Sequence, residues 1–265
     1  FAENVAWEMG QNPQVCKNNQ SENLYSHHLT ATTFAEKEIR LSKFYDQHSI
    51  AFVTGYTGSP HTDISKINIP RVPLPRHSFF ITNVDALSNA VSDAGWKPLR
   101  ISTGDINMTD YVNSSFASKR MKVYPQSFLP HTYNVVVWFD NKFNVNADEV
   151  LNVAYDMDTR IAVFFHKHPF LCCGADLELK ESMYQPRYVV QRDAYVKYIE
   201  EEVSQGYQLN GERHFQSGFI IYNLRNPHTH KFQNMWMAHI ERCGIQDQIS
   251  LYFVAQRFPE SIADF

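Results

Sequence analysis

The sequence lacks the short motifs that mark several common classes of enzyme. Its 265 residues include only 10 glycines, and neither GxGxxG nor GxxxxGK followed by Ser or Thr occurs, so we expect neither a dinucleotide-dependent dehydrogenase nor a P-loop enzyme. None of its 4 cysteines has CxxC spacing, and the adjacent Cys172 and Cys173 are poorly placed for a zinc site or an ordinary disulfide. We therefore expect reduced thiols.

The sequence also lacks an excess of positive charge and any long apolar run. Lys and Arg number 24 against 28 Asp and Glu, a net charge of -4, so we expect no nucleic-acid partner, which would need a concentrated basic surface. We find no run of about 18 apolar residues and no signal peptide, so we expect no membrane span. The protein is expected to be soluble and, by default, cytoplasmic, and Phe at position 1 suggests a domain taken from a longer chain.

What the sequence contains is an alternation of short apolar runs and amphipathic segments. Apolar runs that end at Gly or a polar residue predict buried strands, here at 49–56, 77–83, 135–139, 160–165 and 215–223. Helical spacing of apolar residues follows at 84–94, 188–205 and around 232–240. This alternation predicts an α/β fold with a mostly parallel sheet flanked by helices. We assign 1–48 to an irregular or helical lead-in and 49–265 to a single domain.

Polar residues directly after the predicted strands are the first candidates for a ligand site, because open α/β sheets bind ligands at the carboxyl ends of their strands. They form three groups: Thr54-Gly55-Tyr56, Asp140-Asn141-Lys142 and His166-Lys167-His168. Asp140 is placed to hold a divalent cation or a ribose, although an Asp that only forms a turn is equally expected. About twenty residues earlier lies the basic cluster Lys119-Arg120-Met121-Lys122. Such a cluster is more often a solvated surface, but its cations are also able to neutralise a diphosphate.

Several short motifs follow one another along residues 50–255. After the basic cluster come Trp138-Phe139-Asp140-Asn141-Lys142, Lys167-His168-Pro169, Glu178, Gln191 and Gln246-Asp247-Gln248-Ile249-Ser250. In this order the sequence resembles a bacterial and plant family of proposed glycosyltransferases, long catalogued as a domain of unknown function, whose plant members are linked to cell-wall mucilage. That family has Trp-x-Asp-Gly-Lys, Arg-His-Pro and Arg-Asp-Gln-Leu-Ser at the corresponding places. Here Gln246 replaces its Arg, and the turn lacks a second acidic residue.

The resemblance implies a GT-A-like, Rossmann-like fold and the transfer of a hexosyl or pentosyl group from a UDP- or GDP-sugar to a glycan or glycoprotein. The donor site that it implies consists of Thr54, Gly55, Tyr56, Arg120, Lys122, Asp140 and Lys142. Asp247 is the expected catalytic carboxylate facing the sugar, although an Asp that caps a helix is nearly as expected. The residues expected at the acceptor or sugar are His168, Gln246 and Gln248.

A divalent cation, Mn²⁺ or Mg²⁺, is a further expectation at the donor. Asp140 would bind it, with His166 or His214 as a second ligand, because imidazole and carboxylate groups suit such metals. His166 and His168 would point to one face of a continuing strand.

Two other interpretations stay open. The first is another nucleotide-sugar-processing enzyme, such as a nucleotidyltransferase, although its Gly-rich basic loop is not found in 54–58. The second is a non-catalytic carbohydrate-binding domain, which would bind sugar whether or not a nucleotide is present.

Overall fold

A computed structural model describes residues 50–130, 132–155, 160–168, 174–211 and 213–264. The expected lead-in at 1–48 and the Cys172-Cys173 pair lie outside the described residues. Cys243 is buried and forms no disulfide. In the described part of the chain, no helix is both long enough and apolar enough to cross a membrane.

Strands and helices alternate along most of the described chain. The strands are β1 (Ile50–Tyr56), β2 (Ser78–Thr82), β3 (Lys97–Arg100), β4 (Val135–Phe139), β5 (Val163–Lys167), β6 (Phe215–Asn223) and β7 (Ile262–Asp264). The helices are α1 (Asp85–Asp93), α2 (Tyr111–Val123), α3 (Ala147–Tyr155), α4 (Ala175–Ser182), α5 (Pro186–Val189), α6 (Arg192–Ser204), α7 (Pro227–Cys243) and α8 (Asp247–Ala255). Short 3-10 turns lie at Ile64–Lys66 and Pro125–Phe128.

The strands form one mixed sheet in the order β3-β2-β1-β4-β6-β5-β7. β6 is antiparallel to both of its neighbours, β4 and β5, whereas the other described pairs are parallel. The expected fold class, an α/β fold with a mostly parallel sheet flanked by helices, is therefore confirmed. The chain leaves β1 toward β2 on one side and later adds β4 on the other, so a crevice forms at the carboxyl end of β1.

Apolar clusters cover both faces of the sheet. Successive residues of β1 point to opposite faces: Val53 packs in the cluster that contains Met121 of α2, and Phe52 in the cluster that contains Leu87 of α1. All four side chains are fully buried. Because both faces of β1 are covered, its sequence is an almost continuous apolar run, as in buried parallel strands generally.

A third apolar cluster joins α4, α6 and α8. It includes Leu179, Tyr195, Ile249 and Phe253, all buried. This cluster fixes the start of α8 beside the crevice and places α4 next to it. The fold therefore brings residues near 178 and 247 to the carboxyl ends of β1 and β4.

Candidate functional site

A cavity of about 900 Å³ opens at the edge of the sheet where β1 and β4 end. Because β6 runs in the opposite direction, its first residues reach the same edge. The cavity wall is made of the segments after β1 and β4, the start of β6, one face of α2, the region from α4 to α5, and the start of α8. It contains these residues from the sequence prediction: Gly55, Tyr56, Lys122, Asp140, Lys142, His168, Gln246, Asp247 and Gln248.

Four predicted site residues are not part of the cavity wall. Thr54 is fully buried within β1, and its hydroxyl forms no hydrogen bond with the described residues. Arg120 and His166 are exposed. His214 is buried. The structure thus gathers most of the predicted donor site but does not bring Arg120 or Thr54 into it, and it separates His166 from the cavity that His168 lines.

The helix α2 explains why Arg120 is excluded from the cavity. Asp110 caps its start, because the Asp110 side chain accepts a hydrogen bond from the Asn113 backbone N–H. Residues three apart on a helix lie on one face, so Lys119 and Lys122 both reach the cavity while Arg120 between them turns to solvent. If this helix had been recognised from the sequence, the three-residue spacing would have placed Lys119 on the same face as Lys122 and made it a candidate site residue.

The two lysines of α2 form an ion-pair cluster with two carboxylates, which we call the Lys-Asp cluster: Lys119, Lys122, Asp140 and Asp247. Lys122 Nζ lies 3.1 Å from Asp140 Oδ1 and 3.0 Å from Asp247 Oδ2. Lys119 Nζ lies 2.5 Å from Asp247 Oδ1. Only 3% of the Asp247 side chain and 5% of the Lys122 side chain are exposed, so solvent screens these pairs weakly.

The charges of the cluster shift one another's pKa values. Burial opposes ionisation of Asp247, but Lys119 and Lys122 outweigh it and hold the pKa of this carboxyl well below its usual range. Burial also opposes the charge of Lys122, yet Asp140 and Asp247 hold the pKa of its ammonium above the ordinary value. For Lys119 burial prevails, and its pKa is lowered in spite of Asp247. Lys119 is thus the cation of the cluster whose charge its surroundings stabilise less than that of Lys122.

Asp140 directly follows β4 and is held by contacts with β4 and β6. Trp138 Nε1 donates to Asp140 Oδ1 at 3.2 Å, and the Asp140 backbone N–H donates to the Gly218 carbonyl at 2.8 Å. A Cβ at Gly218 would lie 2.6 Å from the Phe143 ring and 3.3 Å from Asp140 Oδ2. Only glycine leaves room here for the carboxylate.

Asp247 begins α8, as the sequence predicted. Its carbonyl oxygen accepts hydrogen bonds from Trp236 Nε1 at 3.3 Å and from the Ser250 hydroxyl at 2.9 Å. Its side chain bonds the two lysines and makes no hydrogen bond to the helix backbone. The alternative of an Asp that only caps this helix therefore does not describe its side chain.

A second polar group, which we call the Glu178 group, lines the opposite part of the cavity. Glu178 accepts hydrogen bonds from Gln246 Nε2 at 2.9 Å and from Gln248 Nε2 at 3.2 Å. His214 Nε2 lies 3.5 Å from the Glu178 carboxylate, and the His214 and His168 rings are 5.1 Å apart. From the sequence, Glu178 was identified only as one of the residues that carry the family resemblance. No local pattern could reveal that it meets residues near 247.

The residues that the sequence nominated for a divalent cation do not form a ligand set. The described residues contain no group of three or more His, Cys, Asp and Glu side chains placed to hold a metal ion. Asp140 is paired with Lys122, and His214 lies beside Glu178. Asp140 lines the cavity, whereas His166 and His214 do not, and a cation bound at the donor by Asp140 with one of these histidines stays a prediction.

Comparisons with known proteins found similar structures but no similar sequences. No family model and no curated protein matches the chain. Apo mouse xyloside xylosyltransferase 1 aligns over 82% of this chain and 84% of its own, with 12% identity and a TM-score of 0.48. The bifunctional glycosyltransferase WbbM aligns over 82% of this chain and 39% of its own, with 14% identity and a TM-score of 0.46.

A third similar structure is glucosyl-3-phosphoglycerate synthase from Mycobacterium tuberculosis, in complex with Mn²⁺, UDP-glucose and phosphoglyceric acid. It aligns over 90% of this chain and 75% of its own, with 12% identity and a TM-score of 0.40. These likenesses concern the fold alone. Because the identities and TM-scores are low, these three structures support no conclusion about the function of this protein.

Proposed function

We propose that this protein is a glycosyltransferase that uses a nucleoside-diphosphate sugar as its donor, a UDP- or GDP-sugar, and belongs with the mucilage-related family that its motifs resemble. The observation that carries the proposal is the Lys-Asp cluster in a cavity at the carboxyl ends of β1 and β4. Two cations held at this edge of the sheet suit a ligand with two adjacent negative charges.

The chemistry of sugar transfer matches this arrangement. Transfer from a nucleoside diphosphate releases a diphosphate, and fixed positive groups aimed at the developing charge lower the barrier. Lys119 and Lys122 supply such groups, and Lys142 adds a third ammonium at the cavity wall. The cavity volume of about 900 Å³ falls within the range of about 300–1,000 Å³ typical of small-molecule sites.

We assign the residues of the cavity as follows. Gly55 and Tyr56 contact the nucleoside, because they end the central strand β1. Asp140 faces the ribose or the donor sugar, and Asp247 holds Lys119 and Lys122 toward the diphosphate. His168 and Gln248 face the sugar or the acceptor. Asp247 thus takes a positioning role in place of the sugar-facing role that the sequence suggested, because its carboxylate already bonds two ammonium groups.

The proposal is tested by a thermal-shift screen against UDP, GDP, ADP, UDP-glucose, UDP-xylose, GDP-mannose and free sugars, with and without Mn²⁺. A ligand that binds the native state raises the unfolding midpoint by mass action. We expect one nucleoside diphosphate and its sugars to raise the midpoint, and free sugars to have little effect. Stabilisation by free sugars alone would instead favour a non-catalytic carbohydrate-binding domain. No shift with any nucleotide at millimolar concentration would contradict the proposal.

A further inference from the structure

Glu178 differs from the two aspartates of the Lys-Asp cluster, although all three line one cavity. It is only 5% exposed, and both of its carboxylate oxygens accept hydrogen bonds from glutamine amides. Gln246 Nε2 donates to Oε1 at 2.9 Å, and Gln248 Nε2 donates to Oε2 at 3.2 Å. These donors are neutral, so they orient the carboxylate without adding a positive charge.

The two glutamines are themselves held in place. Gln246 Nε2 also donates to the Ser182 hydroxyl at 2.5 Å, which ties the start of α8 to the end of α4. Gln248 Oε1 accepts a hydrogen bond from the Ser217 backbone N–H at 2.7 Å, which ties it to the start of β6. Glu178 is therefore positioned by two elements besides its own helix.

No described lysine or arginine forms an ion pair with Glu178, and His214 Nε2 lies 3.5 Å from its carboxylate. His214 is 1% exposed, and its ring nitrogens form no hydrogen bond with the described residues. His168 lies beside it, with ring centroids 5.1 Å apart. Burial, with His214 as a further cause, lowers the pKa of His168 to about 4, so that imidazole is uncharged near pH 7.

The surroundings of Asp247 make it a poor proton acceptor by comparison. A general base works best when its pKa lies near the working pH. Asp247 is bonded to two ammonium groups, which stabilise its ionised form and hold its pKa well below the usual range. Asp247, at the start of α8, is therefore suited to hold the two lysines. Glu178, on α4, accepts its hydrogen bonds from neutral amides and is the better proton acceptor.

We propose that Glu178 is the general base of the transfer reaction and accepts the proton of the acceptor hydroxyl, with Gln246 and Gln248 as its positioning residues. This inference rests on the proposed function. In the step, the acceptor O–H bond breaks and its proton passes to the Glu178 carboxylate. The acceptor oxygen bonds the anomeric carbon while the bond from that carbon to the diphosphate oxygen breaks. The electron pair of that bond leaves with the diphosphate, beside Lys119 and Lys122.

Replacing Glu178 tests the assignment. In Glu178→Gln the shape is kept and the proton acceptor is lost, so we expect a rate about 10²–10⁴-fold lower, the usual contribution of a general base. The rate is the release of nucleoside diphosphate from the sugar nucleotide that the screen selects, with water as acceptor. Donor affinity, measured by calorimetry, should stay within about threefold, which corresponds to less than 1 kcal/mol.

Asp176→Asn serves as the matched control. It makes the same carboxylate-to-amide change in the same helix, at a side chain that pairs with Lys180 and does not line the cavity. Its rate should equal that of the wild type. If Glu178→Gln fails to fold, Glu178→Asp takes its place, with an expected loss of more than about tenfold in rate at unchanged donor affinity.

The outcomes separate this inference from the proposed function. If the wild type binds a sugar nucleotide and the Glu178 variant turns it over at the wild-type rate, Glu178 is not the base, while the donor site stands. If the wild type binds no nucleotide, the proposed function itself fails. The stereochemistry gives an independent readout, because a single displacement assisted by a base inverts the anomeric carbon. NMR of the first product should show inversion, and retention would overturn the proposal.

Discussion

Asp247 keeps its charge in a buried position because two ammonium groups bond its carboxylate. The idealised cost of burying such a charge is large, and attraction within the low-dielectric interior offsets it only when the geometry is good. Lys119 and Lys122 provide that geometry at 2.5 and 3.0 Å. At the scale of single residues, the candidate site therefore depends on two ammonium groups and two carboxylates that neutralise one another when no ligand is bound.

Asp247→Asn should destabilise the protein at neutral pH, because it takes one carboxylate away from the buried Lys122 and removes the carboxylate that pairs with Lys119. Breaking one side of a buried ion pair costs about 3–5 kcal/mol, which urea unfolding at pH 7 would measure. The exposed Asp105→Asn change should leave the midpoint unchanged. An unaltered midpoint in Asp247→Asn would show that the Lys-Asp cluster contributes nothing to stability.

The same variant has a defined pH dependence. The folded-state pKa of Asp247 is lowered, so its contribution to stability is present above the unfolded pKa of about 3.9 and is lost as the pH falls through the folded pKa. The difference in unfolding free energy between wild type and Asp247→Asn should therefore be constant near neutral pH and shrink below about pH 4. A difference that grows on acidification would contradict this sign.

Gly218→Ala should disturb the site without removing any charged group. The added methyl would meet the Phe143 ring at 2.6 Å and approach Asp140 at 3.3 Å. Overpacking of this kind typically costs about 1–3 kcal/mol, and displacing Asp140 should weaken donor binding as well. Thermal unfolding and calorimetry would measure the two effects, and wild-type values in both would show that the close approach is unimportant.

At the scale of secondary-structure elements, apolar runs predicted the strands well and irregular patterns hid some helices. β6 was predicted at its observed bounds, and β1 within one residue, because each contains a largely buried apolar run, 50–53 in β1 and 219–222 in β6. β5 begins at Val163, three residues later than expected. Of the α2 region only the basic cluster was noted and no helix was predicted, because its polar and apolar residues show no helical period.

The start of α2 provides a test at this scale. Asp110 accepts the Asn113 backbone N–H at 2.9 Å, so Asp110→Ala should lower stability by about 1 kcal/mol, the usual value for an N-cap. Asp110→Asn, which preserves capping, should stay close to the wild type. Urea unfolding of the three proteins would measure this, and equal midpoints for the Ala and Asn variants would argue against a capping role.

Contacts between α6 and α7 give a second test. Tyr198 OH lies 2.7 Å from His239 Nδ1, and burial lowers the pKa of His239 to about 4, with Glu202, Arg257 and Arg242 as its charged neighbours. A lowered histidine pKa means that stability is present above the unfolded pKa of about 6.5 and is lost as the pH falls toward 4.

Unfolding experiments between pH 7 and pH 4 would measure the contribution of this histidine. We expect a steeper loss of stability in the wild type than in His239→Asn over that range. Replacement of the exposed His61 by Asn should leave the wild-type slope unchanged. Parallel curves for the wild type and His239→Asn would contradict the assignment.

At the scale of the whole molecule, the site is built from residues far apart in the chain. Lys119 and Asp247 are 128 positions apart, and Glu178 meets Gln246 across 68. The rule that ligands bind at strand ends located Asp140 and Tyr56 from sequence alone, because it depends on local patterns. Glu178 and Lys119 could not be selected in that way, since their roles depend on how α2, α4 and α8 pack against the sheet.

If Lys119 and Lys122 form a diphosphate site, calorimetric titration of the wild type, Lys119→Gln and Arg120→Gln will show it. The ligand is the nucleoside diphosphate that gives the largest thermal shift. Lys119 lines the cavity, whereas Arg120, its neighbour on α2, is exposed and does not. Loss of a charge-assisted hydrogen bond worth about 1.5–3 kcal/mol predicts a Kd roughly ten- to hundredfold weaker for Lys119→Gln and an unchanged Kd for Arg120→Gln. Equal affinities in all three proteins, or a loss only in Arg120→Gln, would contradict the account.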